Sequence, residues 1–224
     1  MPESIAQQFK SLLEENLSID LTRGKPSSSQ LDLSNELLSI PLEPLTEDGV
    51  DIRNYGEPLG MHQAREWGAE LLDSAMKILN VTEKEIIFLS SQLLLASQLF
   101  VINGRPWKDI ENPTFICPTP GFDRHFNMLD ELGIEMLSVP LVGNGLDLEI
   151  LKTTLAEHDD IIGLISVPRH STPSGDIYSD KNILKIFELC SEYSKDLIFL
   201  FDHAYLIHDL TGPHKFYFVH FFLK

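Results

Sequence analysis

Basic side chains are scarce in this chain: 17 Lys and Arg stand against 34 Asp and Glu, a formal charge of −17 over 224 residues. That imbalance repels a phosphate backbone and argues against nucleic acid as the main partner, while leaving room for a local basic pocket that holds a small anion. Cysteine is scarcer still. Cys117 and Cys190 are the only two, far apart, and too few for a disulfide framework or a zinc site of their own. They read as reduced thiols of a cytosolic protein. Long apolar runs are also missing: LIFLF (197–201) and the tail FYFVHFF (216–222) fall well short of a bilayer span. The first twenty residues carry early acids and no continuous apolar stretch, so no secretory signal is expected. Internal repeats and low-complexity tracts are absent as well. These absences predict a soluble, cytoplasmic chain with neither membrane nor nucleic acid among its partners.

What remains has a globular composition. Hydrophobic residues make up 43% and charged residues 23%, which argues against wholesale disorder. The length suits one large domain, or one domain with part of a second. Ile5, Phe9, Leu12, Leu13 and Leu17 recur at three- and four-residue steps and predict a surface-packed helix. Loop chemistry follows at Leu21 to Ser29, and again in the turn-rich stretch from Pro44 to Gly60. From residue 61 the pattern becomes a regular alternation. Helices are predicted over 61–79, 91–103, 122–133 (closed by Gly133), 146–158 and 180–194. Strands are predicted over 85–90 (EIIFLS), 114–118, 134–140, 161–168 and 196–202.

Such alternation implies right-handed crossovers and an α/β fold, a mostly parallel sheet with helices on both faces. Ligands of such sheets bind beyond the carboxyl ends of the strands. Four segments stand there: Ser90–Ser91, Pro118–Phe122, Pro168–Gly175 and Asp202–Tyr205. The two serines suit either a helix N-cap or a phosphate at a helix N-terminus. Phe122 follows a turn, where it can pack in the core or stack on a flat ring. Pro168, Pro173 and Gly175 shape a rigid turn that carries Thr172 and Ser174. Asp202 ends the apolar run LIFLF, so its carboxylate needs a cation or donors. A protein Arg or Lys would serve, and so would a protonated heterocyclic nitrogen.

Taken together, LTRGKPS (21–27), RNYGEPLG (53–60), PTPGFDRHF (118–126), VPRHSTPSG (167–175) and FDHAY (201–205) resemble a known family in order and spacing. The chain is similar to the pyridoxal-phosphate-dependent fold-type I aminotransferases, in the aspartate aminotransferase branch related to the aminotransferase domains of MocR-like regulators. The resemblance implies a partial large domain at 61–213 that binds pyridoxal 5′-phosphate. An N-terminal helix and arm would occupy 1–60, and an atypical apolar tail 214–224. It further implies that Asp202 pairs with the pyridinium nitrogen and that Tyr205 hydrogen-bonds the ring's phenolic oxygen, with Thr172 standing where the family has an Asn. Phe122 would stack on the ring, and Ser90 and Ser91 would lie in the phosphate-binding turn. Gly24 would line the substrate carboxylate site. Tyr55 would reach the phosphate of a neighbouring subunit, making a homodimer part of the active site.

In this family the Schiff-base lysine lies tens of residues beyond FDHAY, in a Ser-x-Ser-Lys-like context, and a small C-terminal domain follows. Here the lysines after Asp202 are Lys215 and Lys224, neither flanked by small hydroxyl residues. The expectation is therefore a C-terminally truncated polypeptide that lacks the small domain and the covalent lysine and has little or no turnover. Its substrates by resemblance are an amino acid and a 2-oxo acid, aspartate with 2-oxoglutarate in the first place. The alternative is a non-catalytic binding module that pairs with a full-length homologue.

Overall fold

Four strands run the same way through the centre of the larger part of the chain: β1 (Thr114–Thr119), β2 (Glu135–Pro140), β3 (Ile161–Ser166) and β4 (Ile198–Phe201). Their order is β2-β1-β3-β4, and each neighbouring pair is parallel. The structure, a computed structural model, describes residues 4–18, 25–54, 60–71, 86–101 and 104–205. Its contacts divide the chain into two compact units, Met1–Tyr55 and Gly56–Lys224.

The first unit holds α1 (Ile5–Glu14), α2 (Ser28–Leu31) and a 3-10 helix at Asp32–Ser39. Ser4 starts α1 through a reciprocal cap with Gln7, and Ser27 starts α2 in the same way with Gln30. The apolar stripe expected on the first helix is present but unburied: Ile5, Phe9, Leu12 and Leu13 are all exposed. A single strand bridge, Leu45 to Asp51, closes the turn-rich stretch that follows.

In the second unit α3 (His62–Leu71) and α4 (Ile86–Leu99) precede the sheet, and α5 (Asp123–Glu131), α6 (Leu148–Glu157) and α7 (Asp180–Tyr193) connect its strands. Asp147 caps α6 through the N–H groups of Glu149 and Ile150, and Ser179 caps α7 through that of Asn182. Helix α5 ends where Gly133 takes a φ of +67°. The Gly133 and Ile134 N–H groups donate back to Asp130 and Leu129, a closure that needs a left-handed residue.

Alternate strand residues feed two apolar layers. Ile116, Leu164, Phe199 and Phe201 join α6 and α7 on one face, around Leu151, Leu155, Ile186, Phe187 and Cys190. Phe115, Cys117, Ile165, Ile198 and Leu200 join α4 and α5 on the other, around Leu94, Met128 and Leu129. Burial on both faces is what a parallel sheet requires.

One expectation is corrected. The strand predicted at 85–90 is not a strand: residues 86–90 open α4, and Glu85 lies outside the described residues. The apolar, β-branched run EIIF satisfies strand chemistry, but a strand also needs a neighbour to complete its hydrogen bonds, whereas a helix completes its own. The run is equally apolar on every side, which suits a buried helix as well.

Candidate active site

The crossovers bring three connecting segments to the carboxyl edge of the sheet. After β1 the chain turns at Gly121, where a Cβ would come within 2.5 Å of the Pro118 carbonyl. That close approach delivers Phe122 to the N-cap of α5 and, one turn on, places His125 in the interior. After β4 the next residue is Asp202, whose N–H donates to the Ser166 carbonyl at 2.9 Å. The sheet ladder thus continues by one bond and fixes where the carboxylate begins.

Asp202 is 6% exposed. His125 Nε2 lies 3.2 Å from one carboxylate oxygen, and the Ala204 N–H donates to the other at 2.9 Å. An ionised carboxylate only accepts, so the imidazole carries its hydrogen on Nε2. Burial pushes the Asp202 carboxyl up. The His125 hydrogen bond and the Ala204 N–H outweigh it, helped by the charge of His125 and, once it is protonated in acid, of His203, and hold the group below the ordinary carboxylate value. His203 moves the other way: burial drives its imidazole down to about 4 against the pull of Asp202. At neutral pH the cluster is one carboxylate, its donor His125 and an uncharged His203.

The aromatic and hydroxyl parts converge on the same edge. The rings of Phe122 and His125 meet edge to face with centroids 5.2 Å apart. Thr172 Oγ1 and Tyr205 Oη are 3.4 Å from each other, so the two hydroxyls assigned to one ring oxygen are brought together. The loop carrying Thr172 is tied back at both ends. Ser171 bridges to Asp176, and the Tyr178 N–H donates to the Pro168 carbonyl. The Ser166 hydroxyl meets Tyr178 Oη at 2.9 Å, and Ser166 also accepts from the Asp202 N–H, so one residue serves loop and carboxylate alike.

Ser90 and Ser91 stand in α4, in helical backbone, and not in a turn at a strand end. An N-cap role is excluded, because the residues before them are already helical. The Gln98 amide donates to the Leu132 carbonyl at the end of α5, and Leu94 packs with Met128 and Leu129. The two helices therefore run side by side in the same direction, and the start of each lies toward the carboxyl ends of the strands. Gly24 and Tyr55 lie outside the described residues, as do Lys215 and Lys224.

Sequence reasoning missed His125 and His203. The signal for His125 was in plain view: an acid at the end of an apolar strand needs a donor, and His125 sits one helical turn from Phe122 on the neighbouring connection. A cavity of about 360 Å³ between Trp107, Arg105, Asp160 and Tyr193 opens at the amino ends of the strands, away from this cluster.

The profile of the aspartate amino-transferase family matches residues 2–218. The chain is 34% identical to the aspartate aminotransferase of Corynebacterium glutamicum over 213 residues, which is 93% of this chain and 49% of that protein. A solved aspartate transaminase from the same organism superposes with a TM-score of 0.75 at 31% identity, covering 89% of this chain and 48% of the other. An aminotransferase structure from Corynebacterium diphtheriae gives 0.78 at 35%, covering 89% and 49%. The chain thus spans about half the length of the relatives it matches. Enzymes of this kind use pyridoxal phosphate. With the family profile running from residue 2 to residue 218, the chain belongs to the aspartate amino-transferase family.

Proposed function

We propose that this chain binds pyridoxal 5′-phosphate at the carboxyl edge of its sheet and serves transamination between an amino acid and a 2-oxo acid, with aspartate and 2-oxoglutarate as the pair. The observation that carries this reading is the state of Asp202. Among the described residues each of its oxygens has one hydrogen-bond partner, yet a carboxylate offers about four lone-pair positions. A buried, ionised group with acceptor capacity to spare fits a protonated ring nitrogen.

Bound there, pyridoxal phosphate supplies an electron-withdrawing ring that stabilises negative charge at the substrate's α-carbon. The residues of the chain divide the remaining work. Asp202 holds a proton at the ring nitrogen, and His125 and the Ala204 N–H keep Asp202 oriented and charged. Thr172 and Tyr205 present hydroxyls to the ring's phenolic oxygen, and Phe122 covers a ring face and keeps water from it. The phosphate end is assigned to Ser90 and Ser91. Gly24 is assigned to the substrate carboxylate and Tyr55 to a neighbouring subunit's phosphate, in a homodimer.

Absorbance titration of the chain with pyridoxal phosphate tests the reading. Asp202→Ala should weaken binding by about 1.5–3 kcal/mol, roughly ten- to a hundredfold, the worth of a charge-assisted hydrogen bond. Unchanged affinity would leave Asp202 a structural carboxylate. Borohydride reduction followed by peptide mapping addresses covalent attachment. Neither Lys215 nor Lys224 has the small hydroxyl neighbours of the family's lysine, so no stoichiometric pyridoxyl-lysine is expected. Its appearance on either residue would make this chain catalytically self-sufficient in that respect.

A further inference from the structure

The loop between β3 and α7 carries Thr172. Bonds inside the loop give it a shape: the Ser171 N–H donates to the Asp176 carbonyl, and the Tyr178 N–H closes the neck on the Pro168 carbonyl at 3.0 Å. A further tie joins the loop to the strand end that also holds Asp202. The hydroxyl of Ser166, the last residue of β3, donates to Tyr178 Oη at 2.9 Å, while the Ser166 carbonyl accepts from the Asp202 N–H at 2.9 Å. Ser166 is 2% exposed and Tyr178 3%. The tyrosine belongs to the apolar layer with Leu146, Ile183 and Phe187, where a phenylalanine would pack without the cost of burying a hydroxyl. Burial pushes the Tyr178 phenol well above its ordinary value, against the Ser166 hydrogen bond, so the link is a neutral pair of hydroxyls across the neutral pH range.

We propose that Tyr178 is a positioning residue for the cofactor's phenolic oxygen: through Ser166 it sets where the Thr172 hydroxyl stands relative to Asp202. The inference rests on the cofactor reading above and goes beyond it to a residue that has no role there. A pyridine ring is rigid, so its nitrogen and its phenolic oxygen keep one separation. The acid that meets the first and the hydroxyls that meet the second must be spaced to match, within about 0.5 Å. Ser166 is the anchor common to both. Its carbonyl fixes the start of Asp202, and its hydroxyl fixes the tyrosine that closes the loop bearing Thr172. Loss of the Tyr178 hydroxyl leaves Asp202 on the Ser166 carbonyl. The loop loses its tie, and Thr172 Oγ1, 3.4 Å from Tyr205 Oη, moves out of register with the acid.

The test titrates the full chain calorimetrically with pyridoxal phosphate and with 3-deoxypyridoxal phosphate, which lacks the phenolic oxygen. Tyr178→Phe should weaken pyridoxal phosphate by about three- to tenfold, the worth of one hydrogen bond, and leave the 3-deoxy compound unchanged. Made in a Thr172→Val background, the same substitution should have no further effect, because the residue it acts through is gone. Ser166→Ala/Tyr178→Phe removes both hydroxyls together, so it should recover the stability that Tyr178→Phe loses in urea unfolding without recovering the affinity. Unchanged pyridoxal phosphate affinity in Tyr178→Phe overturns the proposal, and so do equal losses for the two ligands. A loss that persists in the Thr172→Val background overturns it too. Affinity that returns with stability in the double variant would make Tyr178 a structural hydroxyl alone and has the same consequence. Failure of the wild-type chain to bind pyridoxal phosphate removes the cofactor reading and this proposal with it, and is recognised before any variant is made. Once wild type binds, each of the other failures falls on Tyr178 and leaves the cofactor reading standing.

Discussion

At the scale of single residues, the pairing of His125 with Asp202 decides what the site can do. Replacing His125 by Phe keeps a flat ring and removes the donor, leaving a buried carboxylate short of one partner. The expected cost is about 2–3 kcal/mol in urea unfolding, with weaker pyridoxal phosphate binding in parallel. A variant as stable as wild type would show that Ala204 alone suffices. Acid should act on the same cluster. Unfolded, His203 takes a proton near the ordinary histidine value; folded, it waits until about pH 4. Between those values the unfolded chain binds more protons, so stability falls as pH is lowered, by on the order of 2–3 kcal/mol in all. Asp202, depressed in the folded state, adds a further loss as pH drops through the carboxylate range. Unfolding midpoints at pH 7, 5.5 and 4.5 measure the slope, and His203→Phe should flatten it between pH 6.5 and 4.

Elements were legible where local chemistry and tertiary demand agree. The four strands and α5 to α7 begin and end within two residues of the positions expected from periodicity and caps, because both faces of the sheet are covered and each connecting helix carries its own start or stop residue. The failure at 86–90 arose where apolar content was high and periodicity silent, so that only the presence of a pairing neighbour could choose between strand and helix. The candidate site was half legible: Phe122, Thr172, Asp202 and Tyr205 stand at strand ends, while the donor to Asp202 comes from a residue 77 positions away. Two element-level contacts can be tested directly. A Cβ at Gly163 would stand 2.3 Å from the Phe115 ring, so Gly163→Ala should cost about 1–3 kcal/mol through overpacking. Asn182 accepts from the Leu146 N–H and donates to its carbonyl, pinning the start of α6 to α7. Asn182→Ala should cost about 2–4 kcal/mol by leaving two buried backbone groups unmet, and a loss below 0.5 would show that water replaces the amide.

For the molecule as a whole, charge and apolar exposure pull in opposite directions. A net charge of −17 favours dispersal, whereas α1 presents an uncovered row of Ile5, Phe9, Leu12 and Leu13, the kind of surface that seeks a contact. Self-association is the expected outcome, and light scattering of Phe9→Glu/Leu13→Glu against wild type should show it reduced. An equally monodisperse monomer in both would defeat the expectation. The apolar tail at 214–224, which lies outside the described residues, is a separate matter for the same measurement after its deletion. The two thiols lend the sheet another use. Cys117 is buried in one apolar layer and Cys190 in the other, and burial pushes both up to about 12. Neither can meet an alkylating reagent unless its own layer parts. Their labelling rates are therefore two independent clocks of breathing, one for the α4–α5 side and one for the α6–α7 side, readable in a single mass spectrum. A ligand gripping Phe122 and Asp202 should slow the Cys117 clock first.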